Sequence, residues 1–438
     1  MTCIKGARGL FARISTAHVA YSHPNSDLAV NAPAIASPAA ALKRDAATTV
    51  SLVFLCNCVN ALCVGGIALF LPLIREDLHI SFTQAGLLSV AATATYALGQ
   101  IPAGFLTDRF GPKRLFFIGV IGSTVFMLQF AMVGSYGHAL VNQMLTGTFR
   151  AFLFAPGLTL LSSWFPPERR ATAMGLYIAG NFTGNIVLSL IGPWMVASHS
   201  WRFPFMVFSL AGIAVAMLFL VFAKEKARHA PRDPLKLSDI VQLSRYPIVW
   251  VASALQIIRM GPVVGISFWL PSFLVADRGL TLQTAGLVTA MGAALSAPSN
   301  AIGGYVSDRM NNPPLIIGGA LAILATTAFL LVQIQSLPLL LVVIAVNSVF
   351  AQFYFGPLFL VPVEVLGQRT AGIVTGFCNL FANAGSVAFA FALGVIRDRT
   401  GSFAWGFGAI GIACIVGIVL SVVLARMRHH ALDAKAVA

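Results

Sequence analysis

Runs of about 20 predominantly apolar residues, long enough to cross the roughly 30 Å hydrocarbon core of a bilayer as helix, recur along this 438-residue chain with only short polar gaps between them. Counting such runs between breakers gives twelve spans, at about 50–74, 83–106, 114–135, 138–161, 172–195, 203–223, 247–275, 281–304, 314–334, 337–361, 370–394 and 404–425. Composition agrees: 58% of the residues are hydrophobic and 10% are charged, where a soluble globular chain carries about 25% charged residues. The expected fold class is an all-α integral membrane protein.

Lys and Arg number 28 against 14 Asp and Glu, a formal charge of +14. The bases form no single basic domain with interleaved surface aromatics, so nucleic acid is not an expected partner. They sit in the gaps, where they act as a topology signal, because Lys and Arg are retained on the cytoplasmic side of a bilayer. With the N-terminus inside, the inner loops and both tails hold 21 of them, and the outer loops hold five: Arg75, Arg202, Arg278, Arg397 and Arg399. An N-in/C-in arrangement follows.

Residues 1–47, with Ser, Ala, Pro and scattered bases, read as a disordered cytoplasmic tail. Lys5, Arg8 and Arg13, with no acid before Asp27, also suit a targeting presequence. A polar linker at 224–246, inside "AKEKARHAPRDPLKLSDIVQLSRYP", separates a six-helix half at 48–223 from a second at 247–428, and 429–438 forms a short cytoplasmic tail. The six cysteines lie almost entirely inside apolar segments, where they act as small hydrophobes. Neither a disulfide framework nor a metal or cofactor site is expected.

The two halves repeat at an offset of about 200 residues. "GFLTDRFGPKR", from Gly104 to Arg114, is a polar knot between two apolar runs, and "GGYVSDRMNN", from Gly303 to Asn312, is a worn copy with Gly304, Asp308 and Arg309 at matching places. "PPERRATAMG" after span four, with Glu168 and Arg169, has a counterpart in "PVEVLGQRTAG" after span ten, with Glu364 and Arg369. Parallel six-helix repeats are a transporter architecture, with the substrate site near mid-membrane between them.

These residues resemble the major facilitator superfamily. The knot is similar to its loop 2–3 signature, roughly G-x-L-x-D-R-x-G-R/K-R/K, and "WFPPERRATAMG", "WRFPF" and the second "GGYVSDR" fall in the family's order over residues 48–428. In style the chain resembles the organic-anion branches of that family, the sugar-acid and carboxylate permeases. The resemblance implies that Asp108 and Arg109 latch the cytoplasmic helix ends, that Gly104 permits close packing, and that Gly111, Lys113 and Arg114 complete the motif. A carboxylate and a guanidinium at a helix end can exchange partners as two bundles rock; a solvated loop that only fixes topology is the alternative. Three departures stand out: Pro112 replaces a usual base, Gln143 replaces the arginine of the family's R-x-x-x-G pattern, and the second copy ends in Met310-Asn311-Asn312.

The resemblance also implies that spans 1, 4, 7 and 10 line the central cavity. Charges at mid-bilayer cost at least ~2.5 kcal/mol and are functional candidates. Arg150 in span four and Arg259 in span seven qualify, and none of the 14 acids lies near the middle of a span. Two guanidiniums converging without a counter-ion would repel, so an anionic ligand suits them, and the planar donor fork fits a carboxylate or phosphate; arginines that snorkel or bind lipid are the alternative. Gln256, one helical turn before Arg259, Asn57 and Asn60 in span one, Tyr177, Asn181 and Asn185 in span five, and Asn379 and Asn383 in span eleven recur at helical spacing. Such side chains either touch substrate or bind helices together. Pro262 removes a backbone donor and predicts a kink in span seven.

The function that fits is a secondary or facilitative transporter, monomeric in the cytoplasmic membrane of a bacterium, moving a small organic anion such as a carboxylate or sugar acid by alternating access. Proton symport normally wants a membrane carboxylate of movable pKa, so uniport, exchange or protonation carried by the substrate suits this chain better. Efflux of drugs or hydrophobic compounds fits the 33 phenylalanines, and a non-transporting ligand sensor is a reading from a different class. No Ser/His/Asp set, metal-spaced cluster or phosphate loop supports an enzyme.

Overall fold

In a computed structural model of the protein, residues 38–166, 170–226, 243, 245–367 and 371–437 are described, and among them there are helices and no strand. Lys43–Ala438 forms one compact unit and Met1–Leu42 another. Of the expected motif residues, Glu168, Arg169 and Arg369 lie outside the described residues, as does most of the linker.

The N-terminal set comprises α1 (Pro38–Leu69), the short α2 (Leu71–Leu78), α3 (Phe82–Phe110), α4 (Pro112–Phe130), α5 (Tyr136–Ser162), α6 (Arg170–Ser198) and α7 (Arg202–Phe222). The C-terminal set begins with α8 (Pro247–Met260), a π-helical turn at Gly261–Ile266 and α9 (Ser267–Ala276). It continues with α10 (Leu282–Met310), α11 (Pro313–Gln333), α12 (Leu337–Phe353), α13 (Phe355–Leu366), α14 (Ala371–Thr400) and α15 (Ala404–Val437). Ten helices among the described residues are long and apolar enough to cross a membrane. α3 and α10 are not among them. Each has 29 residues, about 43 Å of helix, but both are diluted by Gly, Ala, Ser and Thr and end on an Asp-Arg pair.

Local signals explain the helix starts. Ser81 and Gln84 form a reciprocal capping box on α3, Ser135, Thr281 and Asn312 cap α5, α10 and α11, and Pro stands at the start of α4, α8 and α11. Two expectations need correction at the ends. The tail drawn to residue 47 is helical from Pro38, because "PAAALKRDAA" combines an N-terminal Pro with alanines of high helix propensity. The C-terminal tail drawn from 429 continues α15 to Val437, supported by the His429–Asp433 pair at i, i+4 and 2.9 Å.

Within each set the helices pack on one another, and the main pairings between the sets are α3 on α14 and α6 on α10, with α2 also against α9. The buried core is uneven along these crossings. A large apolar cluster runs through both sets, from Phe70, Phe130 and Trp201 to Trp269, Phe403 and Phe407. A second, around Phe116, Leu160 and Phe219, belongs to the N-terminal set alone.

Candidate substrate site

The C-terminal set builds a buried polar cluster around an interrupted helix. Pro262 cannot donate to the helix ladder, and the chain widens there into the π turn, with the Gly261 N–H turned to the Ile258 carbonyl. The expected kink is thus a π turn, a feature frequent at functional sites. One turn before it, Arg259 Nε donates to Gln256 Oε1 at 2.9 Å. Arg259 is 3% exposed and Gln256 0%. No described carboxylate pairs with Arg259; its guanidinium lies 4.8 Å from the Phe355 ring centroid, a cation–π contact. Span ten breaks at Tyr354, between α12 and α13, and this buried phenol lies within electrostatic range of Arg259. Gln256 Nε2 and the Tyr354 hydroxyl are buried without a hydrogen-bond partner.

The N-terminal set holds a second arginine against phenols. Arg150, half-buried on α5, lies 5.6 Å from the Tyr96 ring centroid and within electrostatic range of Tyr177. Gln100, a turn beyond Tyr96, accepts a bond from Asn379 Nδ2 of α14 at 3.4 Å, which links the two sets. Asn383 Nδ2 donates to the Asn379 carbonyl. Asn181 is exposed and accepts from Asn185. No hydrogen bond or ring contact joins the two arginine clusters among the described residues.

The asparagines of span one bond neighbouring helices. Asn57 Nδ2 donates to the Tyr177 carbonyl at 3.1 Å and Asn60 Nδ2 to Ser123 Oγ at 2.8 Å, both buried, so these amides tie α1 to α6 and α4. Asn57 and Gln256, like Asn60 and Arg259, are 199 residues apart, one short of the 200 that separate Asp108 from Asp308, so these pairs are neighbours in the repeat and not register mates. Asn57 and Asn60 thus serve helix adhesion in one set, while Gln256 keeps an unbonded Nε2 in the other. Gln143 is buried against Met127 and Asn142.

The ends of the crossing helices differ. At the end away from the polar knots, the Asp398 carboxylate of α14 accepts the Phe82 and Thr83 N–H groups at 3.0 and 2.6 Å, so one set caps a helix N-terminus of the other. Arg397 pairs with Asp277 at 2.8 Å, Asp277 also accepts the Phe403 N–H, and the Phe82 ring lies between Arg75, Trp269 and Phe403. A side chain at Gly86, Gly286 or Gly394 would collide with backbone of the facing set. Beside this closure Asp77 bonds Arg202 at 2.8 Å, a hydrogen bond that holds its carboxyl below the usual range.

At the knot end the crossings are slack. A side chain at Gly104, Gly175, Gly304 or Gly376 would meet no described atom within 4 Å, so the close packing expected of Gly104 is not made in this conformation. Asp108, Arg109, Asp308 and Arg309 are exposed, with Arg109 over Phe110. Gly111 turns the chain from α3 into α4 at φ +87°, with the Glu225 carboxylate beside it; Lys113 lies near that carboxylate, and Arg114 is exposed. Glu364 forms a bidentate pair with Arg428 of α15 at 2.7 and 2.8 Å.

Tyr96, Tyr354, Phe355, Asp277 and Asp398 were not legible as site residues. Tyrosine and phenylalanine are ordinary membrane residues, and an acid at the end of an apolar run reads as loop; only the closeness of Asp398 to Arg397 and Arg399 hinted at a cluster.

An all-helical membrane chain with two repeated helix sets, charged knots at the repeat and a buried arginine site is a membrane transporter in architecture, and not an enzyme. The Major Facilitator Superfamily family model matches residues 53–390, and the chain belongs to that family. It is similar to the hexuronate transporter of Bacillus subtilis (strain 168), with 24% identity over 388 residues, 83% of this chain and 91% of the relative. A probable nitrate/nitrite antiporter of Thermus thermophilus is 30% identical over 249 residues, 54% of this chain and 55% of the relative. A bacterial homolog to the human lysosomal transporter Spinster, solved in an inward-facing and unoccupied conformation, superposes with a TM-score of 0.74 at 17% identity, covering 89% of this chain and 97% of that one. The chain is an integral membrane protein, consistent with a bacterial inner membrane.

Proposed function

We propose that this protein carries a small organic anion, a sugar acid or other carboxylate, across the cytoplasmic membrane by alternating access between two six-helix halves, with both termini inside. The observation that carries the reading is Arg259, a buried guanidinium with no described carboxylate partner on an interrupted helix. A charge so placed needs an anion to offset its desolvation. Arg150 supplies a second cation from the other half, with Tyr96, Gln100 and Asn379 beside it. Relatives named for hexuronate and for galactarate/D-glucarate support a sugar acid. The tight end is then the closed outer gate and the slack end the open inner one, an inward-facing state. The absence of a mid-span acid favours uniport, exchange or a proton carried by the substrate over a side-chain proton relay.

Uptake of radiolabelled D-glucuronate into proteoliposomes tests this. Arg259→Ala is expected to reduce uptake by at least tenfold and Arg150→Ala by a smaller factor, since a charge-assisted hydrogen bond contributes about 1.5–3 kcal/mol. Unchanged uptake in both variants defeats the reading.

A further inference from the structure

We infer that Arg259, Gln256 Nε2 and the Tyr354 hydroxyl form a three-donor subsite for one planar, singly charged oxyanion, with Tyr354 as its specificity-determining residue and Phe355 as its cover. This deepens the proposed function and rests on it.

The donors are present and unspent. Arg259 Nε is held by Gln256 Oε1, which fixes the guanidinium plane and leaves the other end of the amide, Nε2, as a donor without a partner. Gln256 Nε2 and the Tyr354 hydroxyl are both fully buried and unpartnered. Buried donors left unmade are costly and rare in native proteins. Two of them beside one cation with no described carboxylate partner specify the ligand: it must accept from three donors and bring a single negative charge. A carboxylate has two oxygens with about four acceptor positions in one plane, and the guanidinium fork matches that plane. A neutral sugar hydroxyl leaves the charge unbalanced, and a phosphate dianion brings a second charge beside the apolar Phe355 ring.

The backbone independently marks the same place. Span seven is interrupted at Gly261–Ile266 and span ten at Tyr354, and transporters place their sites where helices are discontinuous near mid-membrane. The Phe355 ring lies over the guanidinium, directly after the break, where Tyr354 has φ −105° and ψ 13° outside helical geometry. A change in that one residue's dihedrals would move the ring off the guanidinium.

Nitrate shares the plane and the single charge with a carboxylate, so the test uses both, with full-length protein in proteoliposomes and in detergent. D-glucuronate and nitrate are each titrated against the wild type, Tyr354→Phe, Gln256→Glu and Arg259→Ala. Tyr354→Phe deletes one unpartnered buried hydroxyl, so the ligand-free protein should melt no lower than the wild type; a tyrosine with a merely structural hydroxyl would melt lower. With D-glucuronate its KM should rise about tenfold or more while kcat changes little, the cost of a lost bond to a charged group. Gln256→Glu places a carboxylate beside Arg259 and should abolish stabilisation by the anion while raising the melting temperature of the free protein. If both variants lose D-glucuronate the subsite takes a substrate carboxylate, and if both lose only nitrate it takes an inorganic oxyanion. If Arg259→Ala loses uptake while Tyr354→Phe and Gln256→Glu keep wild-type KM for both anions, the transporter reading stands and this subsite is overturned; if Arg259→Ala also keeps uptake, the transporter reading itself fails.

Discussion

Asp77 and Asp398 show how far one carboxylate's role depends on its partner. Asp77 bonds Arg202 inside a single helix set, and that bond lowers its pKa from the ordinary value of 3.8. A depressed carboxyl pKa stabilises the fold above the unfolded value and loses that contribution as pH falls through the folded one. The window is therefore below about pH 4, where Asp77→Asn should flatten the fall in melting temperature seen in the wild type. With its side chain 41% exposed, the pair contributes only about 0.5 kcal/mol, and melting curves in detergent from pH 6 to pH 3 would show the difference. Asp398 instead bonds N–H groups of the other set, so its removal acts on conformation more than on folding.

The turn between α3 and α4, and its repeat between α10 and α11, solve the same problem with different residues. Gly111 sits at φ +87°, where a side chain is strained. Asn311, at the matching place in the second copy, takes the left-handed region at φ +51°, which Asn tolerates better than other non-glycine residues. The missing glycine in the worn copy goes with a different backbone: Gly111 has ψ 148°, which a side chain disfavours, whereas Asn311 has ψ 24°, inside the left-handed region that Asn tolerates. Gly111→Ala should destabilise the protein by about 1–3 kcal/mol, whereas Asn311→Gly should change it by less than about 1 kcal/mol; thermal unfolding of both variants checks the contrast. The π turn after Arg259 belongs to the same scale: Pro262 removes a donor, and the backbone widens beside the one buried cation of span seven.

Across the whole molecule, one end of the α3–α14 and α6–α10 crossings is tight and the other open. Asp398 and the Phe82–Trp269–Phe403 group hold the tight end, and Asp277 braces Arg397, whose guanidinium lies over Phe82 of the other set. Removing that hold should shift the population toward the opposite state, because a two-state balance moves with any interaction made in only one state. Spin labels at Gly104→Cys and Gly304→Cys fit the open end without collision. In an Asp398→Ala, Asp277→Ala background, their distance distribution measured by double electron–electron resonance should gain a shorter component. An unchanged distribution would mean that the acids at the tight end do not bias the equilibrium.

Sequence by itself determined the helical membrane class and the family, and it singled out the repeat and two candidate arginines. These are encoded locally or at fixed offset: a span needs a run of apolar residues, a turn needs Gly or Asn, and a charge inside an apolar run stands out against its neighbours. It mislaid the helix ends at Pro38 and Val437, where alanine-rich segments extend helices past the apolar run. Tertiary structure alone decided which polar side chains are spent. Asn57 and Gln256 are both buried amides on the first long helix of their sets, yet the first has a carbonyl to bond and the second has an orphaned Nε2, a difference set by what the neighbouring helix presents. Tyr354 joined the site in the same way, because only packing brings a residue nearly a hundred positions away beside Arg259. Which end is closed was likewise decided by contacts between the sets, since the same sequence must be able to make and break them in turn.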